Sequence, residues 1–310
     1  MTNMEAMASS SSLAISASRP GEDSIQPAAR RLEINAEQFR ADFDRQPFMI
    51  GHHLAGHRLF ELPRLLALAA RLPEDCVAYN AGNVAVAEGL YRGPRTGLSV
   101  EETIRRIEDC QSWMVLKHVE LDGTYNALLD ACLDEVQAHA EPLAPGMQKR
   151  EGFIFISSPG SVTPYHLDPE YNFLLQIRGS KTVHIWNPQE RAVLSEEDLE
   201  DFYTSEAQNN LKFKAEHEQR ASVFALTPGR GLHVPVTSPH WVANGGGVSV
   251  SFSITFRTPA SERRAIVYRV NAALRRRGWK PTPVGRSATL DAMKYHIGRG
   301  VRRIKRAARP

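Results

Sequence analysis

The spacing of apolar and polar positions changes character about halfway along this chain. Before residue 150, apolar residues recur mostly at three- and four-residue intervals, the spacing that gives a helix one buried face. "NAEQFRADFDRQ" has Asn35 placed as a helix cap, and "LFELPRLLALAARL" carries helical spacing with Pro63 in its first turn. In "SVEETIRRIEDC", Ser99 is followed three residues later by Glu102, a capping-box signal, and Ile104 and Ile107 share a face. "TYNALLDACLDEVQAHA" predicts a further helix that ends before Pro142. Between these segments, "DCVAYNAG" and "SWMVLKHVEL" predict strands. No internal repeat is present.

From Glu151 the period shortens. "GFIFISSPG", "NFLLQIRGS" and "KTVHIWNP" are short runs rich in β-branched and aromatic residues, separated by Gly, Ser and Pro turns. After an acidic insertion from Ser195 to Glu218 come "ASVFALTPGRG", "LHVPVTSPHWVANGGG" and "VSVSFSITF". Closely spaced strands without helices between them predict an antiparallel sandwich or jelly roll. The last strand alternates cleanly, with Val248, Val250, Phe252, Ile254 and Phe256 on one face and Ser249, Ser251, Ser253 and Thr255 on the other. The polar face meets either solvent or, in a small barrel, a pocket. Beyond Phe256, "SERRAIVYRVNAALRRRG" predicts an amphipathic helix closed by Gly278, and "SATLDAMKYHIGRGVRRIKRAA" a second one weakened by Gly298 and Gly300. The organisation expected is a flexible tail over 1–30, a helical and mixed part over 31–150, a β core over 151–256 interrupted at 195–218, and basic helices over 257–310.

Composition changes this picture little, with 42% hydrophobic residues suiting a globular protein with a sizeable core. No apolar run approaches the roughly 20 residues needed to span a membrane. Three widely spaced cysteines, Cys76, Cys110 and Cys132, form no CxxC pair and fit reduced thiols in a cytoplasm. Charge changes it more. The net charge of +3 conceals 16 basic against two acidic residues from Arg257 to Pro310, leaving 22 basic and 33 acidic residues in the rest. The basic end can meet nucleic acid, an acidic partner or a membrane surface, or it can dock on the protein's own acidic body.

The candidate chemistry lies in "TPYHLDPEYNF". His166 and Asp168 are two apart, the spacing that points both side chains to one face of a strand. His240 lies in "VPVTSPHWV", at the start of another predicted strand. Two imidazoles and one carboxylate on one face form the arrangement that holds non-haem Fe(II) with open coordination positions. A structural zinc site would be closed by four ligands, usually with thiolates. Lys181 stands near the start of "KTVHIW"; pointing inward, it needs an anion, and the alternative is a surface turn after Gly179. Thr163, Asn172 and Ser253 can add neutral hydrogen bonds. Together they suit a small dicarboxylate that chelates the metal at one end and meets Lys181 at the other.

"SVTPYHLDPEYNFLLQIRGSKTVHIWNP" resembles the metal-binding core of the JmjC-type, cupin-like 2-oxoglutarate and Fe(II)-dependent oxygenases, most of all the hypoxia-inducible-factor asparaginyl hydroxylase type and its bacterial cupin-like relatives. The resemblance covers about residues 150 to 256. It implies an α+β chain, mostly β with flanking helices, built on a double-stranded β-helix. It implies His166, Asp168 and His240 as iron ligands, Lys181 and Thr163 as partners of the distal 2-oxoglutarate carboxylate, and Asn172 close to the cosubstrate, with Ser253 where the asparaginyl hydroxylase has an asparagine. The activity implied is hydroxylation of a C–H bond by O2, with succinate and CO2 as coproducts. The substrate expected is a peptide or protein side chain, or else a small molecule, and the C-terminal helices are expected to form a homodimer.

The sequence departs from the family in having Pro239 before the distal histidine and no tyrosine in "QSWMVLKHV" to supply an aromatic hydroxyl; Tyr165 is the substitute within reach. His184 is expected to pack or hydrogen-bond rather than ligate, and His52, His53 and His57 to occupy a loop near a helix start. The acidic run "SEEDLED" begins a solvated helix or belongs to a cover over the site. Trp113 and Trp186 belong to core or pocket. The rival readings are a cupin-like binding or regulatory module that keeps the metal triad without turnover and, last, a jelly-roll sugar isomerase or epimerase.

Overall fold

The computed structural model describes residues 30–88, 96–204 and 211–307. The predicted tail over 1–30 lies almost wholly outside them. The N-terminal part opens with a short strand, β1 (Leu32–Glu33), and a helix, α1 (Ala36–Asp42). Asn35 caps that helix, its side-chain oxygen accepting from the N–H groups of Glu37 and Gln38 at 3.0 Å each. There follow β2 (Phe48–His52), α2 (Leu62–Ala69), β3 (Val77–Ala81) and α3 (Val100–Arg105). The predicted capping box of α3 is complete, with Glu102 N–H on Ser99 Oγ and Ser99 N–H on the Glu102 carboxylate. β4 (Ser112–Leu116) and the long helix α4 (Gly123–Ala140) complete this part.

The β region then runs β5 (Gln148–Ser157), β6 (Val162–His166), β7 (Tyr171–Arg178) and β8 (Lys181–Ile185). Helix α5 (Glu196–Thr204) follows, before β9 (Ser222–Leu226), β10 (Arg230–Val234), β11 (His240–Asn244) and β12 (Ser249–Arg257). Two helices close the chain, α6 (Pro259–Arg275) and α7 (Ala288–Ala307).

Among the described residues the strands form two antiparallel sheets, one ordered β1-β2-β10-β7-β12-β5-β4-β3 and the other β6-β11-β8-β9. This is the jelly roll the short-strand pattern predicts, with β1 to β4 woven into the larger sheet rather than standing apart. β2 was not legible in the sequence. "FMIGH" is short, contains a glycine, and takes its strand form from pairing with β1 and β10 on either side.

The larger sheet has two unlike faces. Val250, Phe252, Ile254 and Phe256 of β12 enter the main core with Phe39, Leu65, Leu129 and Leu133 from the covering helices. The opposite face of β12 turns towards the smaller sheet. A second apolar cluster joins the two sheets through Leu174, Leu232 and Val234 from one and Val183, Ile185 and Val242 from the other. Gly179, at the β7–β8 turn, has φ +68°, and a Cβ there would run into the Val248 carbonyl. Gly179→Ala is therefore expected to destabilise the protein by about 1–3 kcal/mol, the cost of a strained left-handed residue, and urea unfolding would measure it.

The basic C-terminus is partly neutralised within the chain. Arg275 holds Glu197 at 2.7 Å and the buried Glu200 at 2.7 Å, tying α6 to the acidic helix α5. Arg257 pairs with Glu170, and Arg264 reaches Asp44 at 3.4 Å. The apolar side of α6, including Ile266, Val267 and Ala272, is buried in the chain. α7 lies against α6 at Gly298, where a Cβ would stand 2.6 Å from an Ile266 methyl. The glycine that weakens this helix locally is what lets the pair approach. No described helix is long and apolar enough to cross a membrane.

Candidate metal centre

The smaller sheet brings two of the three predicted ligands into register. β6 and β11 pair so that His166 stands directly opposite His240. Their rings lie 4.1 Å apart between centroids. Asp168 follows just beyond β6, with Oδ1 3.9 Å from His166 Nε2 and Oδ2 3.7 Å from His240 Nε2. One ligand atom from each of the three residues lies within 4.8 Å of the other two. Such a cluster can close on one ion with small side-chain movements.

The hydrogen bonds behind the rings decide which nitrogen faces inward. His166 Nδ1 contacts the Pro164 carbonyl at 2.7 Å, and His240 Nδ1 contacts the Ser238 carbonyl at 3.0 Å. A carbonyl only accepts, so each Nδ1 carries the proton and each Nε2 presents a lone pair to the centre. Burial holds both imidazoles neutral, pulling them down to about 4. A metal therefore has no proton to displace from either histidine near neutral pH.

The loop bearing Asp168 is anchored from outside. Leu167, between the two predicted ligands, is buried with Leu194 and with Leu199, Phe202 and Tyr203 of α5 and Tyr268 of α6. The Asp168 carbonyl accepts from Thr237 N–H at 2.9 Å. The acidic helix thus braces the centre from behind, and residues 205–210 of the predicted insertion lie outside the described residues.

The centre opens into a cavity of about 90 Å³ between the sheets, and every sequence-predicted site residue lines it: Thr163, His166, Asp168, Asn172, Lys181, His240 and Ser253. Thr163 and His166 are three apart, which in a regular strand would put them on opposite faces. A bulge in the β6–β11 pairing, where His240 and Val242 oppose His166 and Thr163, turns both inward. The same bulge leaves Tyr165 facing away, against Trp186 and Phe213, so it does not replace the missing tyrosine. Ser253 Oγ donates to Asn172 Oδ1 at 2.6 Å, which leaves the Asn172 amide N–H groups for a ligand.

Lys181 points inward. Its side chain is buried, 5.9 Å over the Phe155 ring, and burial lowers the ammonium to about 7, with no acidic neighbour opposing that shift. A buried ammonium without an ion pair is costly, and an entering anion would offset that cost.

Other residues also line the cavity, and Glu170, Phe153 and Phe155 among them were not singled out in the sequence. Glu170 sits beside the centre, its carboxyl raised to about 7 by burial and by Asp168, and it pairs with Arg257. A signal was there: His166, Asp168, Glu170 and Asn172 fall at every second position. Thr255 belongs to the polar face of β12, which proves to be pocket lining at Ser253 and Thr255; Ser249 and Ser251 hold Gln176 at its far end. Trp113, Phe153 and Phe155 form an aromatic wall. The other four histidines singled out in the sequence make contacts outside the triad, and His52 ends strand β2 rather than lying in a loop. His184 stacks on Trp241 at 4.0 Å and contacts Glu218 at 2.6 Å, His52 contacts the Gln176 carbonyl at 3.0 Å, His53 pairs with Glu33, and His57 caps a short turn. Trp186 is core, donating to the His217 carbonyl at 2.8 Å. A larger surface groove between α2 and the β3 edge, lined in part by Leu66, Ala70 and Tyr79, lies apart from the triad.

A family model described as a cupin-like domain matches residues 93–262, more than half of the chain. The chain belongs to this cupin-like family. Over 102 residues, 31% of its length, this cupin-like chain is 29% identical to lysine-specific demethylase 8 of Xenopus tropicalis. That match spans only 22% of the demethylase. The X-ray structure of Escherichia coli ycfD superposes with a TM-score of 0.50 at 13% identity, covering 90% of this chain and 69% of the other. A structure of the Escherichia coli ribosomal oxygenase YcfD in complex with cobalt and 2-oxoglutarate gives a TM-score of 0.46 at 13% identity, covering 90% and 68%. At 13% identity the likeness to the first of these structures is one of fold.

Proposed function

We propose that this cupin-like protein is a 2-oxoglutarate and Fe(II)-dependent dioxygenase that hydroxylates a C–H bond. The observation that carries the proposal is the opening of one cavity onto both the His166–Asp168–His240 set, its two neutral imidazoles turning their Nε2 atoms to the Asp168 carboxylate, and a buried Lys181 that forms no ion pair among the described residues. A metal-stabilised binding module has no need for a buried ammonium at a fixed distance from its ion. A cosubstrate that must present one end to the metal and a carboxylate to a cation does.

The donor set fits the metal: two imidazoles and one carboxylate on one side leave positions for two further ligands. Iron there would supply oxidation of 2-oxoglutarate by O2, with succinate, CO2 and a hydroxylated substrate as the balanced products. The chain's own residues do the rest. The backbone carbonyls of Pro164 and Ser238 fix the imidazole tautomers. Lys181 and Thr163 would take the distal carboxylate, while Asn172, oriented by Ser253, would donate to the cosubstrate. The Glu170–Arg257 pair and the Trp113–Phe153–Phe155 wall would then bound the space for the substrate. A peptide or protein side chain, as in the asparaginyl-hydroxylase type, is the substrate class we favour over a small metabolite.

The test is anaerobic loading with Fe(II), followed by melting curves and succinate measurement with and without 2-oxoglutarate. At 100 times its dissociation constant a ligand adds about 2.7 kcal/mol to the folded state. Stabilisation by 2-oxoglutarate and succinate release on admitting air are expected. Stabilisation by metal alone, with no succinate, would leave only the binding-module reading.

A further inference from the structure

We propose that the exposed face of α7 docks on an anionic lipid surface. This helix presents an apolar stripe left exposed among the described residues: Leu290 is 36% exposed, Met293 53%, Ile297 53% and Val301 48%. At 3.6 residues per turn the four fall within an arc of about 80°. The α6 side of the helix lies elsewhere on its circumference. It is marked by Gly298 against Ile266 and Val270 and by Tyr295 beneath Arg263, and next to it Lys294 Nζ donates to the Thr282 carbonyl of the α6–α7 connection at 2.7 Å. The stripe is therefore free to meet a surface while α7 stays packed on α6. Trp279, just past the C-terminus of α6 in the α6–α7 connection, is 66% exposed.

Charge selects the partner. Arg257, Arg264 and Arg275 are engaged with the acidic body. By contrast, Arg276, Arg277 and Lys280 flank Trp279 in the solvent, and Arg299, Arg302 and Arg303 stand exposed on the side of α7 away from the stripe. An apolar stripe backed by a cationic face is the pattern of a helix lying in a membrane interface, with tryptophan favoured at that depth. Anionic lipid satisfies both features at once, because juxtaposed cations and buried aliphatic side chains add their contributions. A nucleic acid would satisfy the charge and leave four aliphatic side chains in water. A second copy would cover the stripe but bring two cationic helices together. It would also offer few residues beside the roughly 20–30 per side of a stable interface.

The experiment is co-sedimentation of the full chain with vesicles of phosphatidylcholine alone and of phosphatidylcholine mixed with phosphatidylglycerol. The protein is expected to sediment with the mixed vesicles and remain in solution with the neutral ones. Met293→Glu/Ile297→Glu and Arg302→Glu/Arg303→Glu are each expected to weaken binding at least about tenfold. These side chains are exposed, so the melting temperatures of both double variants should stay at the wild-type value, which separates lost docking from lost folding. Three results would overturn the proposal. One is no sedimentation with mixed vesicles. The second is sedimentation that the stripe variant leaves unchanged, which would make the attraction purely electrostatic. The third is a dimer by light scattering that Ile297→Glu dissociates, without vesicle binding, which would assign the stripe to a second copy. None of these outcomes depends on the enzymatic reading.

Discussion

Asp168→Ala is expected to weaken metal binding at least a hundredfold and to bring succinate formation to background, with the melting temperature of the metal-free protein little changed. Asp168 is the one carboxylate of the candidate triad and contacts both histidines at 3.7–3.9 Å. Loss of an outer-shell partner alone typically costs roughly 10- to 100-fold in metal affinity, so loss of this ligand should exceed that range. The fold should survive for two reasons. The loop is held by Leu167 in its apolar cluster and by the Asp168 carbonyl, and both remain in the alanine variant. The Asp168 side chain is itself partly exposed and pairs with the histidines only loosely. Titration with Mn(II) or Co(II), followed by melting curves, measures both quantities. Near-wild-type metal affinity in Asp168→Ala would show that the triad is not the metal site.

Lys181→Met is expected to have opposite effects on ligand binding and on stability. Loss of the cation facing a buried carboxylate costs roughly 2 to 5 kcal/mol, so the 2-oxoglutarate dissociation constant should rise at least tenfold. The ligand-free protein should meanwhile become more stable. Burial lowers the Lys181 ammonium from 10.5 to about 7, so the folded state binds this proton less tightly than the unfolded chain does. The resulting cost is fully present below pH 7 and fades as the pH rises towards 10.5. Removing the lysine should therefore raise stability by an amount of order a few kcal/mol at or below neutral pH, and by progressively less in alkali. The same shift predicts the pH dependence of binding. Affinity of the wild-type protein for 2-oxoglutarate should be level below about pH 7 and decline above it, while the methionine variant shows no such decline. Calorimetry with a redox-inert metal in the site separates binding from turnover. Equal affinity in the two proteins would take Lys181 out of the cosubstrate site; a variant less stable than wild type would contradict its description as a buried charge with no ion pair among the described residues.

Much of this site was legible in one dimension, because backbone geometry imposes short periods on sequence. Alternation in "VSVSFSITF" assigned the two faces of β12, and the core contains the apolar one. The two-residue spacing of His166 and Asp168 placed them together, and the caps at Asn35 and Ser99 started α1 and α3 where expected. These signals are local: a cap or an alternating strand needs only its own few residues to be recognised.

The tertiary structure decided what depends on a partner strand or a distant side chain. Whether the serine face of β12 meets water or a pocket was open until the smaller sheet was seen to cover it, making Ser253 and Thr255 pocket lining. The β6–β11 bulge sets Thr163 beside His166 and turns Tyr165 away, because the extra residue is defined only by pairing with β11. "FMIGH" became a strand because β1 and β10 flank it. The division of the basic C-terminus between ion pairs with the protein's own body and an exposed cationic face required α5, α6 and α7 to be placed in space. Sequence alone determined the candidate ligand types and their local period. Register, bulge and docking brought those ligands to one point, since each is fixed by contacts between segments far apart in the chain.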